Sequence, residues 1–348
     1  MKRHFEVLDG LRGTAALLVV IFHLLEASVS DAAFNPLHHA YLAVDFFFML
    51  SGFVIGYSYD DRWPAMTISR FLRTRLIRLQ PLVILGVLVG AIGYLLDPFA
   101  GETQHGPLWR LLSRVVLGVL LIPSPSMPNR NDETHSLNAP SWSLFQEWLV
   151  NIVYAFIGPK IGKPALVILV LISGIVLTAT AVNHGNLHGG WGWDTLWMAP
   201  VRVAFPFFGG LLLYRIGARI TIPMTWPLLS FVLLIVFALP YFTWNGAYEA
   251  AIIIIVFPLI IAAGSGAHTS GKLASVCRLF GQLSYPLYIL HFPAIYLYTH
   301  WIQQQHPPAS LISLVAACLL VIFIAVAWLA LRFYDEPIRA RLNGYYRK

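Results

Sequence analysis

Stretches of about twenty apolar residues recur along the chain, and a helix needs about that length to cross a bilayer. Short polar breaks separate them. Because 58% of the 348 residues are hydrophobic and 11% are charged, a soluble fold could not cover its exterior with solvated charge. The sequence therefore predicts an all-α, polytopic membrane protein that forms one domain over residues 1–348 with no appended soluble domain. Ten spans are predicted, near residues 8–27, 41–60, 79–96, 141–158, 164–182, 197–214, 226–243, 247–264, 284–301 and 310–332.

The lysines and arginines predict how the chain is oriented, since these residues collect in cytoplasmic loops. A cytoplasmic N-terminus leaves only four of the 23 lysines and arginines away from the cytoplasmic side, namely Arg110, Arg114, Arg130 and Arg202. Both ends of the chain are therefore predicted to be cytoplasmic. The stretch 108–122 is too short to span and carries two of these arginines, so we expect it to be interfacial or re-entrant.

Several classes of ligand are not indicated. The formal net charge of +7 is explained by the cytoplasmic loops of a membrane protein, so we expect no nucleic-acid partner. Cys277 and Cys318 lie far apart, without the spacing of a disulfide framework or a zinc site. No group of His, Asp and Glu has the spacing of metal ligands, and the sequence predicts no metal.

The few ionisable residues inside the predicted spans carry the functional information, because each costs at least about 2.5–3.5 kcal/mol in lipid without a partner. Arg12 and His23 are eleven residues apart in the first span, which places them on nearly the same helix face and about 16 Å apart. One interpretation is a snorkelling arginine and a packed histidine. The other is a functional histidine on a stripe that begins at the cytoplasmic boundary.

Carboxylates enter the outer half of the predicted bundle near the depth of His23. Asp45 begins the antiparallel second span, which predicts that its carboxylate orients the imidazole as in a general-base pair. Glu147 and Arg202 enter from the same side, so we expect His23, Asp45, Glu147 and Arg202 to share one polar chamber that opens outward. Glu249 is close enough to a helix end to be interfacial. A buried ion pair that joins helices is the alternative interpretation of Asp45.

Arginines are concentrated in the predicted loop before the third span. Arg75 and Arg78 are three residues apart, so they share a face if the segment is helical. Planar guanidinium groups suit phosphate recognition. The alternative is a role in orienting the chain and in binding anionic lipid headgroups. The arginines of this segment are Arg62, Arg70, Arg73, Arg75 and Arg78.

Several short motifs together resemble the acyltransferase-3 family, whose members are bacterial membrane enzymes that O-acylate surface glycans. The resemblance covers nearly the whole chain and is most specific in the first half. The motifs are Leu8-Asp9-Gly10-Leu11-Arg12-Gly13 with His23, Leu50-Ser51-Gly52-Phe53, Arg75-x-x-Arg78 before Pro81, Trp142-Ser143-Leu144 with Glu147, the segment from Ser284 to His291, and Glu336-Pro337-Ile338-Arg339.

The resemblance implies an acyl-CoA donor on the cytoplasmic side, acetyl-CoA by default. It also implies an acceptor hydroxyl on an extracytoplasmic carbohydrate, and a place in the bacterial inner membrane among its lipids. On the matching positions, His23 is the expected catalytic base and Arg12, Arg75 and Arg78 the expected donor-binding residues. The catalytic roles of Asp45 and Glu147 are inferred from their predicted position beside His23.

Two other functions and one mechanistic question stay open at this stage. A proton-coupled transporter or glycan flippase would also use intramembrane His, Asp, Glu and Arg, although the chain shows no paired inverted halves. His291 keeps open an unrelated class of histidine-dependent membrane O-acyltransferases. Ser51 and Ser143 are candidate nucleophiles if a covalent acyl-enzyme forms.

Overall fold

The chain folds into a bundle of helices in the computed structural model, which describes residues 4–29, 34–100, 107–221 and 225–345. Within these ranges, Glu133 and Gly192 form an isolated antiparallel β-bridge. The described helices are α1 (Glu6–Glu26), α2 (Ala43–Tyr59), α3 (Ile68–Leu96), α4 (Leu108–Val119), α5 (Ser141–Ile157), α6 (Lys163–His184), α7 (Met198–Arg215), α8 (Trp226–Ala238), α9 (Asn245–Ala251), α10 (Phe257–Gly266), α11 (Gly271–Leu290), α12 (Phe292–Gln305), α13 (Ala309–Ala330) and α14 (Glu336–Tyr345).

Six helical segments of the described residues are long and apolar enough to cross a membrane. The protein is therefore an all-α, multi-pass membrane protein, as the sequence predicts. The four other predicted spans coincide with α5, α7, α8 and the α11–α12 pair, which are shorter or less apolar. The count of ten spans and the cytoplasmic placement of both ends stay predictions. The six segments are Glu6–Glu26, Ala40–Ala65, Ile68–Leu96, Lys163–His184, Asn245–Gly266 and Ala309–Tyr345.

Helix α3 begins eleven residues before the predicted span at 79, and this changes the setting of the arginines. Its first turn is capped by Thr67, whose hydroxyl oxygen accepts a hydrogen bond from the backbone N–H of Arg70 at 3.2 Å. Such a cap satisfies one of the unpaired N–H groups at a helix start. Arg75 and Arg78 therefore lie on a helix and not in a loop, and of the two Arg75 is buried while Arg78 is exposed.

The predicted ninth span, 284–301, is interrupted at His291, between α11 and α12. Pro293 follows in the first turn of α12; a proline has no N–H to donate and its ring clashes with the carbonyl four residues earlier. That carbonyl belongs to Ile289, and it accepts a hydrogen bond from the Asn138 side-chain amide at 2.8 Å instead. The break thus leaves the Ile289 carbonyl without a helical N–H donor, and the side chain of Asn138 supplies a donor in its place.

The stretch 108–122 contains the twelve-residue helix α4. At 1.5 Å per residue it is about 18 Å long, which is shorter than the hydrocarbon core of a bilayer. Leu111 is its one buried residue, and Trp109, Leu112 and Val116 are exposed along it. The interfacial or re-entrant placement of this helix stays a prediction.

Helices α2 and α7 pack closely along each other, as do α1 and α11. Two glycines face the partner backbone across the α2–α7 contact. A Cβ atom at Gly52 would lie 1.9 Å from the carbonyl oxygen of Phe207, and one at Gly210 would lie 2.0 Å from that of Met49. Small residues commonly permit such close approach between membrane helices. The contact matters for function because α2 and α7 carry Asp45 and Arg202.

Replacing Gly52 by alanine is expected to destabilise the protein, because the backbone of α7 must move to admit the methyl group. Overpacking of this kind typically costs about 1–3 kcal/mol. Thermal unfolding in detergent should show a lower midpoint for Gly52→Ala. Gly344→Ala is the matched control, since no atom of the described residues lies within 4 Å of a Cβ at Gly344 in α14. Equal unfolding midpoints for the two variants would contradict the close contact.

Candidate active site

A cavity of about 410 Å³ lies between α1, α2, α3, α5 and α11, and the segment that links α13 to α14 closes one side. We call the end of the bundle where this cavity lies the arginine end. Phe47, Ser51, Ser143 and Tyr288 line the cavity's wall farther along the helices. Five arginines line it: Arg12, Arg75, Arg78, Arg278 and Arg339.

Four of these arginines have an acidic partner, and Arg78 does not. Within the described ranges, Arg78 makes no hydrogen bond or ion pair, although it lines the cavity. Arg75 is 4% exposed, and its Nε is buried without a hydrogen-bond partner there. The site therefore has guanidinium donors that no protein group uses. The pairs are Arg12–Asp9 at 3.2 Å, Arg75–Glu147 at 2.5 Å, Arg278–Glu6 at 3.7 Å and Arg339–Asp335 at 2.8 Å.

Glu147 lies in this cavity and not in an outer chamber with His23. Its Oε1 accepts hydrogen bonds from Arg75 Nη2 at 2.5 Å and from the Ser51 hydroxyl at 2.9 Å. The expectation of one shared chamber is wrong here because the longer α3 carries Arg75 into the bundle. Ser143 also lines the cavity, and its hydroxyl lies 2.8 Å from that of Tyr288.

Asp45 is paired with Arg202, so the predicted contact with His23 is wrong. Arg202 donates from Nη2 to Asp45 Oδ2 at 2.5 Å and from Nε to Oδ1 at 3.3 Å. Its remaining donors reach the carbonyl oxygens of Gly189 at 2.7 Å and Tyr41 at 3.2 Å. Asp45 is fully buried and Arg202 is 1% exposed. Asp45 gains Arg202 as a partner because α7 packs against α2, and the sequence of either helix alone does not indicate this pairing.

Glu249 is fully buried and is not interfacial as expected. Its Oε2 accepts a hydrogen bond from the backbone N–H of Leu187 at 2.6 Å. Its Oε1 accepts from Asn245 at 2.6 Å and from the Tyr41 hydroxyl, and lies 3.2 Å from His39 Nδ1. These partners occupy both oxygens of the carboxylate, so Glu249 has a structural role that links α9 to the loop at Leu187 and to the segment around Tyr41.

His23 lies beyond the cavity, at the end of the bundle that also carries Glu26 and His188, which we call the histidine end. Its Nδ1 lies 2.9 Å from Glu26 Oε2. Its ring stacks on His291 with centroids 5.5 Å apart. The His291 ring is in turn 6.3 Å from Tyr288, which lines the cavity. Two ring contacts thus connect the cavity to His23.

Sequence reasoning missed Glu26 as the partner of His23, although the signal was present. Residues three apart on a helix are neighbours, and His23 and Glu26 have that spacing. A carboxylate at Nδ1 fixes the N–H there and leaves Nε2 free to accept a proton. His291 is similar: its Nδ1 lies 3.1 Å from the Leu287 carbonyl, and its buried Nε2 has no partner among the described residues.

Comparison with known proteins identifies the family. A family model described as an acyltransferase domain matches residues 5–332. The chain belongs to the acyltransferase-3 family. It is therefore an acyltransferase, which confirms the resemblance of the motifs and sets the transporter interpretation aside. No solved structure gives a significant match.

The acyltransferase is similar to three curated proteins. It is 36% identical over 188 residues to Protein 2 in picA locus of Rhizobium radiobacter, across 51% of this chain and 95% of that protein. It is 26% identical over 316 residues to acyltransferase MdmB of Streptomyces mycarofaciens, across 83% and 78%. It is 23% identical over 376 aligned positions to peptidoglycan O-acetyltransferase OatA of Listeria monocytogenes, across 99% of this chain and 57% of that relative.

The acyltransferase thus has two polar regions with different chemistry. The arginine end offers unpaired guanidinium donors and suits an anion. The histidine end offers an imidazole whose Nδ1 faces a carboxylate, which suits proton transfer. The pair formed by Asp45 and Arg202 belongs to neither region, since its groups are occupied by one another and by backbone carbonyls.

The structural account of Asp45 predicts that Asp45→Asn loses stability, because Arg202 is then left buried without a counter-charge. Removing one partner of a buried ion pair typically costs about 3–5 kcal/mol. The double variant Asp45→Leu with Arg202→Met should recover much of that loss in thermal unfolding. Asp194→Asn, at an exposed loop position, is the control. An Asp45→Asn protein that unfolds like the wild type but lacks activity would point instead to catalysis.

Proposed function

We propose that this acyltransferase moves an acyl group, acetyl by default, from acyl-CoA at the arginine end to a carbohydrate hydroxyl at the histidine end. The observation that carries the proposal is the placement of both regions on α1, where Arg12 lines the cavity and His23 lies about 16 Å farther along the helix. The positive-inside rule supports a cytoplasmic arginine end, in a bacterial inner membrane.

The donor would bind through its phosphates to Arg78, with Arg75 and Arg12 beside it in the cavity lining. Arginine suits this task because its planar fork binds phosphate oxygens in pairs. Glu147 would hold the Arg75 side chain in place through their ion pair. A cavity of about 410 Å³ suits the slender pantetheine arm, and the nucleotide would stay at the mouth. The arm would then direct the thioester towards Tyr288 and the histidine end.

His23 would act as the general base in a direct transfer. Its Nε2 takes the proton from the acceptor hydroxyl as that oxygen attacks the thioester carbonyl carbon. The carbon–sulfur bond then breaks, and the thiolate of CoA takes the proton back from the imidazolium. Glu26 would orient the ring and stabilise its charged form through Nδ1. General-base catalysis of this kind contributes about 10²–10⁴-fold.

The name of the Listeria relative, peptidoglycan O-acetyltransferase, supports a carbohydrate acceptor. The histidine end is open to one, since the side chains of His23 and Glu26 are 19% and 37% exposed. The base and its carboxylate partner are therefore partly accessible to an acceptor. An acceptor outside the cytoplasm could approach His23 without entering the donor site.

Replacing His23 by alanine should lower kcat at least 100-fold, because no other group takes the hydroxyl proton. Glu26→Gln should lower kcat about tenfold or more with an unchanged KM for acyl-CoA, since it keeps shape but loses the charge that stabilises the imidazolium. Both are measured by CoA release in the presence of glycan. His184→Ala, an exposed histidine at the end of α6, is the control and should match the wild type. A folded His23→Ala protein with wild-type kcat would overturn the assignment.

Replacing Arg78 by alanine should raise the KM for acyl-CoA about tenfold or more, because it removes the cavity arginine that makes no ion pair within the described part of the chain. The KM for the acceptor should change little. Arg70→Ala is the matched control, since Arg70 is exposed on the same helix and does not line the cavity. An unchanged donor KM in Arg78→Ala would return these arginines to a role in orientation or lipid binding.

A further inference from the structure

The loop 185–197 joins α6 to α7 at the histidine end and is held through its backbone at several points. We call it the anchored loop. Two of its anchors are the buried ionisable residues Glu249 and Arg202, and two come from the segment before α5. The bonds are Leu187 N–H to Glu249 Oε2 at 2.6 Å, Arg202 Nη1 to Gly189 O at 2.7 Å, Thr134 N–H to Trp191 O at 2.9 Å and Trp193 N–H to Asp132 O at 3.1 Å.

Anchors of this kind are unusual for a connecting loop, because burying the ionisable groups that make them costs free energy. Connections between elements are usually mobile, and buried ionisable groups cost free energy unless they are paired and hydrogen-bonded. Here Glu249 and Arg202 are both essentially inaccessible, and each uses part of its bonding capacity on the backbone of this one loop. Such fixing is useful if the loop must present side chains in a defined position.

The anchored loop places His188 near Glu26, the partner of the proposed base, and places Trp191 beside His188. The rings of these two residues are 6.0 Å apart, and neither is fully buried. His188 Nε2 lies 3.9 Å from Glu26 Oε1, while Glu26 Oε2 contacts His23 Nδ1 at 2.9 Å. Glu26 therefore lies between the two histidines. A separation of 3.9 Å is too long for a direct hydrogen bond, so both groups can bond to a hydroxyl that lies beside them.

We propose that His188 and Trp191 form the acceptor subsite, in which Trp191 stacks on the sugar ring and His188, with Glu26, hydrogen-bonds a hydroxyl beside the one that is acylated. The inference rests on the proposed function and names the residues that recognise its carbohydrate. Large aromatic side chains with few convergent polar groups are the usual composition of a small-molecule site. Desolvation lowers the pKa of His188, so the neutral ring offers one donor and one acceptor to hydroxyls.

The test uses the full-length protein in nanodiscs, acetyl-CoA as donor and de-O-acetylated surface glycan of the source cells as acceptor. Trp191→Ala should raise the acceptor KM at least tenfold and leave the donor KM within twofold. Trp191→Phe should recover most of the affinity, since it keeps an aromatic face. His188→Ala should also raise the acceptor KM. Trp197→Ala, an exposed residue of the same loop, should resemble the wild type.

The outcomes separate the two proposals. If the wild type transfers acetyl to the glycan but Trp191→Ala and His188→Ala keep its acceptor KM, the subsite is wrong and the proposed function stands. The subsite is also wrong if both KM values rise together, or if Trp197→Ala has the same effect, because a general disturbance would then explain the result. If the wild type releases no CoA in response to the glycan, the proposed function itself fails.

Discussion

The ion pair between Asp45 and Arg202 joins α2 to α7 in the apolar interior, where neither charge could remain alone. Its position depends on the close approach at Gly52 and Gly210. Nη1 of the same Arg202 donates a hydrogen bond to the Gly189 carbonyl of the anchored loop. The buried Glu249 is likewise stabilised by its partners, since its carboxylate accepts a hydrogen bond from a backbone N–H of that loop and contacts neighbouring side chains. The scarcity of charge in this bundle therefore makes each polar contact informative about what it holds in place.

The two ends of the bundle divide the chemistry of acyl transfer between them. At the arginine end Arg78 has no acidic partner among the described residues, which is the arrangement that an incoming anion can complete. At the histidine end the chain pairs His23 with Glu26 and exposes both, which is the arrangement that an incoming hydroxyl needs. Tyr288 and His291 lie between the two regions, so ring contacts connect the donor side to the acceptor side.

Periodicity and hydropathy were enough to locate the helices, because a long apolar stretch has few alternatives in a bilayer. They did not reveal which polar residues pair, since that depends on the order in which helices pack. Asp45 has the depth expected for a partner of His23, but the approach of α7 gives it to Arg202. Glu26 is the partner of His23 that the sequence could have revealed, since residues three apart on a helix are neighbours. The helix breaks at His291 because Pro293 follows in the first turn of α12. Apolar content alone predicts an unbroken span there.

The central claim is that the acyl group crosses from one end of the bundle to the other. Its most direct test is a sided proteoliposome assay with isotope-labelled acetyl-CoA on the side of the arginine end and de-O-acetylated glycan enclosed on the other. The account predicts labelled O-acetyl groups on the enclosed glycan, together with CoA released on the donor side. Transfer only when donor and glycan share the same side would contradict it.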